Sequence, residues 1–265
     1  MHARDILIAL SVKYDGDWPH TMEAIRKREP VTEALVEEKE AMVKSKTLTI
    51  VDPLYPEGLK QSFRPPLVLY YYGDLKTLNE ENSCLAYIGS RDASPYGLKM
   101  AERLSLAAAK EGLSVVTGLA RGIDAAATKA ALDYGGKAVA VLGSGIDCPY
   151  PSSSLGLYKR LISSGLVMSE YPGSLPPKRD NFPARNRIIA ALCHGIVVGE
   201  ASPHSGTLIT VSYALGGNKE VGCVPYRADE ESACNALIKD GAFMIENRDD
   251  LLDMIGRPKK SETPK

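Results

Sequence analysis

The sequence lacks most of the features that assign a function outright. No apolar run approaches the eighteen or so residues of a membrane helix. The first thirty residues carry Asp5, Asp15 and Asp17 and no apolar signal-peptide core, so nothing points to export and the expected compartment is the cytoplasm. Cysteine is sparse. Cys84, Cys148, Cys193, Cys223 and Cys234 form an odd set with no C-x-x-C pair and only four histidines beside them. Neither a metal site nor a disulfide framework is expected, and buried reduced thiols are. Charge of one sign is missing too: 32 Lys and Arg against 33 Asp and Glu leave a net charge of −1. Bulk electrostatics therefore does not advertise nucleic acid, and any such site has to be a local patch.

What is present is an ordinary globular composition, 44% apolar and 25% charged over 265 residues, with room for one large domain and a small one. Residues 1–46 read as a small helical segment, with helices from Ala3 to Leu10 and from Thr32 to Val43. Leu48 to Val51 and Leu67 to Tyr72 read as strands on either side of a proline-rich stretch. From Cys84 onward short apolar runs alternate with amphipathic segments. The helices are expected over Pro95–Glu111, Asp124–Tyr134, Ser154–Ser164, Ala184–Cys193, Gly206–Leu215 and Ser232–Lys239. That alternation predicts an α/β fold, extended Rossmann-like, with a mostly parallel sheet and helices on both faces. Residues 47–256 are expected to form this domain, and 257–265 a disordered tail.

In such a sheet, ligands bind beyond the carboxyl ends of the strands. The first loop there is Gly89-Ser90-Arg91, ahead of a helix that Ser94 could cap and Pro95 could open. Helix N-termini favour anions, and Arg91 adds a bidentate charge; the alternative is a plain strand–turn–helix corner. The second loop, TGLARGID, holds Gly118 and Arg121, with Arg121 facing a ligand or an acid and Asp124 serving as an N-cap or a ligand contact. The third superficially resembles a dinucleotide fingerprint, with Gly143-Ser144-Gly145. Its third glycine position is Cys148, followed by Pro149 and Pro151, which obstruct the helix that motif needs, so no nicotinamide cofactor is expected. The fourth is read as a long loop from Glu170 to Arg187. Lys178, Arg179, Arg185 and Arg187 crowd ten positions there, with Asn186, one acid (Asp180) and Phe182, one of only three phenylalanines. A single nucleic-acid strand needs cations for its phosphates and a flat ring on which a base can stack. The competing reading makes Phe182 a core plug and puts Arg185 and Arg187 in structural ion pairs. The fifth loop is Ser205-Gly206-Thr207, another helix start, with His204 beside it and no nucleophile–base set around it.

Taken together, YPEGL, PPLVLYYYGD, YIGSR, VVTGLARGIDAAA, AVLGSGID, SEYP, FPARNRIIA, SGTLIT and NALIKDGA resemble, in order, the DNA-processing protein A (DprA/Smf) family. The resemblance implies single-stranded DNA binding, homodimerisation, and loading of the RecA recombinase in natural transformation, and the reading preferred on the residues is a mediator that is not an enzyme. It carries the DNA pocket to Arg91, Lys178, Arg179, Phe182, Arg185 and Arg187, with Gly206 and Thr207 on the same face. Thr128 stands where the family usually has histidine, Tyr226 follows Pro225 where glycine is usual, and Ala233 replaces a glycine. No segment of the sequence matches the winged-helix-like domain that many members carry. Two other readings stay open. A nucleotide-hydrolysing protein of the phosphoribohydrolase-like group would need a glutamate where Thr210 stands, and a sensor would bind a nucleotide without turning it over.

Overall fold

Nine strands order as β1-β2-β6-β5-β4-β3-β7-β8-β9 in a single sheet of the computed structural model, which describes residues 2–78 and 84–257. The tail expected to be disordered lies outside the described residues from position 258. At one edge β1 (Lys46–Thr49), β2 (Val68–Gly73) and β6 (Leu166–Ser169) pair antiparallel. All other pairs, through β3 (Cys84–Gly89), β4 (Ser114–Thr117), β5 (Ala138–Leu142), β7 (Gly195–Glu200), β8 (Glu220–Cys223) and β9 (Phe243–Met244), are parallel. The central strands read as unbroken apolar runs because both their faces are covered, and every residue of β4, β5 and β6 is buried.

Helices cover the two faces in two apolar clusters. One face carries α5 (Pro95–Lys110), α6 (Ile123–Asp133), α7 (Leu155–Ser164) and α11 (Arg248–Met254), through Leu104, Ile123, Leu161 and Leu251. The other carries α4 (Glu57–Lys60), α8 (Asn181–Leu192), α9 (Thr207–Gly216) and α10 (Ala233–Lys239), through Leu59, Ile188, Val211 and Cys234. The N-terminal helices α1 (Ala3–Lys13), α2 (Trp18–Arg26) and α3 (Glu33–Ala41) join this body: Leu7, Ile8 and Val12 lie in the first cluster with Tyr70 of β2. Burying each such side chain stabilises by about 1.5–3 kcal/mol. Tyr70 Oη also donates to Ser11 Oγ at 3.0 Å. Helix α2 was not read from the sequence, although Asp17 caps it by accepting from His20 N and Pro19 occupies its first turn.

Strand order fixes where a ligand can enter. From β3 the chain runs one way through β4, β5 and β6, then returns to lay β7, β8 and β9 on the other side of β3. The crevice outside β3 and β7 is therefore the topological switch point. Their pairing slips there: Ile88 faces Val198, but Gly89 faces Glu200. One expectation is corrected. The helix expected from Ala184 begins at Asn181, so the segment also read as a loop to Arg187 is helical from there, and Phe182, Arg185, Asn186 and Arg187 all sit on α8. Pro183 does not prevent this, because first-turn N–H groups have no helical partner to lose.

Candidate functional site

A cleft of about 670 Å³ opens at the switch point, and a smaller one of about 200 Å³ adjoins it. Arg91, Phe182 and Arg185 line both, so the Phe182 ring stands on the ridge between them. Gly89, Ser90, Arg179, Asn186, Ser205, Gly206 and Thr207 line the large cleft, and Gly118 and Arg121 the small one. Two residues named from the sequence line neither. Lys178 is exposed beside the rim, and Arg187 is buried.

Phe182 is half-buried at the start of α8. The guanidinium carbons of Arg91 and Arg185 stand 5.4 and 5.9 Å from its ring centre, which is cation–π range. Tyr150 lies 5.8 Å away, tilted by 49°, and is 45% exposed. Gly143 permits this packing, since a β-carbon there would come within 2.7 Å of Phe182 Cδ1. Tyr150 was not singled out as a site residue from the sequence, and no sequence signal marks it as a partner of Phe182.

The cations divide into two kinds. Arg91, Lys178 and Arg179 are exposed and form no ion pair among the described residues, so they are free to meet an anion. Arg121 is exposed but engaged: its Nη2 pairs with Asp92, and its Nε donates to Arg91 O at 3.2 Å. Arg185 is buried, with Nη1 donating to the carbonyls of Gly118 (2.9 Å) and Val141, and Nε to Asn186 Oδ1 (3.2 Å). Gly118 allows that approach, because a β-carbon there would meet the guanidinium at 2.5 Å. Burial pushes the Arg185 pKa down to about 10, which still leaves it charged at neutral pH. Arg187 is sealed in a pair with Glu170 at 2.7 Å, both side chains being about 95% buried. Its Nε donates to Arg64 O at 2.9 Å and its Nη1 to Ala184 O at 2.7 Å. Burial raises the Glu170 carboxyl pKa, and the Arg187 charge opposes that rise. Arg187 therefore does not reach the cleft it was expected to line.

The turns around the rim hold themselves. Asp124 is not an N-cap, a place taken by Gly122; it lies in the first turn of α6, and Oδ2 accepts from Gly118 N at 2.8 Å. Desolvation pushes its carboxyl up to about 6, opposed by Arg185 and by the N–H groups of Gly118, Ala120 and Gly89. Glu200, which the sequence reading passed over, ends β7 and accepts from Ser94 N, Ser94 Oγ and Tyr226 Oη at 2.7–3.2 Å, fixing where α5 begins. The only signal for it is an acid closing an apolar strand at the switch point. At α9 the turn takes up its own donors: Thr207 N to Ser205 Oγ, Leu208 N to Ser205 O and Ile209 N to Gly206 O, at 3.1–3.2 Å. That leaves the Gly206 N–H, the helix dipole and the Ser205–Thr207 hydroxyl pair for an anion. In the Gly143–Cys148 turn the N–H groups of Gly145, Ile146, Asp147 and Cys148 all donate to carbonyls and are closed to a phosphate. The arrangement can thus neutralise several phosphates and offer a ring face. Among the described residues no group of three or more His, Cys, Asp or Glu is placed to hold a metal ion.

Comparison with known proteins identifies the family. A family model described as DNA recombination-mediator protein A matches residues 46–256. Protein Smf of a Synechocystis species is 40% identical over 213 residues, 79% of this chain and 54% of that one. DNA processing protein DprA of Streptococcus pneumoniae is 38% identical over 208 residues, 78% of this chain and 73% of the relative. The chain spans about half the length of several curated relatives, including 54% of Protein Smf from Escherichia coli. Among solved structures, DNA processing protein A from S. pneumoniae superposes with a TM-score of 0.78 at 35% identity, covering 89% of this chain and 81% of that one. DNA processing protein A from Helicobacter pylori, described for its single-stranded DNA binding mode, gives 0.71 at 28% identity, covering 80% and 95%. The chain belongs to the DNA recombination-mediator protein A family.

Proposed function

We propose that this chain is a non-enzymatic, single-stranded DNA-binding recombination mediator that takes its strand in the switch-point cleft. On this reading it works as a homodimer in the cytoplasm, protects incoming DNA and helps load RecA during natural transformation. The observation that carries the reading is the Phe182 ring on the ridge of the cleft, with two guanidinium groups within about 6 Å of its centre and Arg179 and Lys178 exposed nearby. Stacking needs a base free of its complement, so a duplex has nothing to offer that ring. The H. pylori relative, described as binding single-stranded DNA, supports the same conclusion. Competition between labelled single-stranded and duplex oligonucleotides tests it, with wild type and Phe182→Ala side by side. The single strand is expected to win, and Phe182→Ala to cost about 1–3 kcal/mol of its binding. Equal binding of both forms, with no loss on Phe182→Ala, would falsify the stacking role.

Nucleotide hydrolysis is the second reading, and Asp124 is the observation behind it: a carboxylate lining the cleft with its pKa raised to about 6 is a candidate general acid or base. It ranks second because Asp124 is occupied in holding the loop N–H groups together and because Thr210, not a glutamate, lies in α9. Release of free base from nucleoside monophosphates would reverse that order.

A further inference from the structure

One exposed cluster outside the cleft repeats the chemistry of the Phe182 corner. Phe63, 63% exposed, lies between α4 and β2 and stacks on Tyr213 of α9, with ring centroids 6.5 Å apart and planes 24° apart. The Arg64 guanidinium stands 5.2 Å from the Phe63 ring and 5.4 Å from that of Trp18. Arg64 is exposed and forms no ion pair among the described residues. A single exposed ring needs no explanation, but this one is held in place at a cost. The backbone of Arg64 sits at φ +48°, a left-handed conformation unfavourable to a residue with a side chain. Its carbonyl accepts from Arg187, which is anchored in turn by buried Glu170.

The cluster is also continuous with the cleft. Helix α9 begins at the cleft rim, and Ile209 lines the cleft. Tyr213 is four residues on, so it shares that face of the helix about 6 Å further along the axis. A strand leaving the cleft along α9 meets the Tyr213–Phe63 pair next. We propose that Phe63, Tyr213 and Arg64 form a second base-stacking subsite for the same single strand, an inference that rests on the cleft being a single-stranded DNA site. The exposed ring supplies a stacking face that any base can use, and the unpaired guanidinium supplies charge complementary to the adjoining phosphate. Arg187 is then a positioning residue: it presents the Phe63–Arg64 loop and touches no DNA.

Anisotropy titrations with a labelled thymidine dinucleotide and a labelled oligothymidylate of about sixteen nucleotides separate the two subsites. Phe63→Ala is expected to weaken binding of the long oligonucleotide by about tenfold and leave the short one unchanged, with Phe63→Trp restoring the loss. Trp18 is the only tryptophan and lies against Arg64, so wild-type emission should change with the long oligonucleotide and not with the short one. Equal loss at both lengths, or no loss at either, overturns the second subsite. A wild type that binds neither length overturns the proposed function itself. Binding at both lengths that depends on Phe182 but not on Phe63 overturns the second subsite alone.

Discussion

The Phe182 and Phe63 corners are built to one plan from different parts of the chain. Each sets a phenylalanine beside an exposed, unpaired arginine, Arg91 in one and Arg64 in the other. Each rests on a buried arginine from α8, and the two are only two residues apart. Their supports differ. Arg185 is held by backbone carbonyls and stays on the cleft wall, whereas Arg187 is neutralised by Glu170 and withdrawn. The Phe182 corner therefore keeps two cations facing the ligand and the Phe63 corner one. The first is an enclosed grip at the switch point, and the second an open platform along the way out.

Removing a support separates the corners most sharply. Glu170→Ala strands the Arg187 charge in the core and is expected to cost about 3–5 kcal/mol of stability, read by urea unfolding. A loss under about 1 kcal/mol would mean that Arg187 finds water and that the Phe63 corner is not fixed through it. A smaller effect distinguishes the corners by pH. Asp124 lines the cleft with a pKa of about 6, against an ordinary value of 3.8. Lowering the pH from about 7 to 5 protonates it and removes one negative charge beside Arg185. Single-stranded DNA affinity should then rise a few-fold, and Asp124→Asn should flatten the profile. The stability linkage runs the same way. The folded state holds this proton more tightly, so Asp124's contribution is fully present below about pH 4 and is lost as pH rises through about 6.

Much of the fold was legible because buried parallel strands leave unbroken apolar runs and the helices between them carry their own start signals. Ser94 and Pro95 open α5 as read, with Ser94 Oγ accepting from Gly97 N at 3.0 Å. That the glycine loops, Arg91 and Phe182 would gather at one crevice was also legible, since the loops after the strands of an open parallel sheet meet there. The fates of Arg185 and Arg187 were not. The sequence put RNR both at the end of a loop and at the start of a helix, which fixes no face for either arginine. On a helix, two residues apart means about 200° around the axis, so one arginine turns to the cleft and the other to Glu170. Phe63 escaped notice for a related reason: its partner Tyr213 lies 150 positions away in the sequence, Arg187 lies 123 from the Arg64 carbonyl it holds, and no local pattern joins them. Tyr150 and Glu200 likewise acquire their roles only through the fold.

Titration of a labelled oligothymidylate into wild type and Arg91→Ala, repeated across a range of salt, tests the cleft most directly. Arg91 is exposed and unpaired, so its removal leaves the fold intact while taking one cation and one cover from the Phe182 ring. Wild-type binding should fall with salt at a log–log slope of about −2 to −3, for three or four phosphates neutralised. Arg91→Ala should bind at least tenfold more weakly, with a slope shallower by about 0.7. Unchanged affinity and slope in a folded Arg91→Ala protein would contradict a single-stranded DNA site at the switch point.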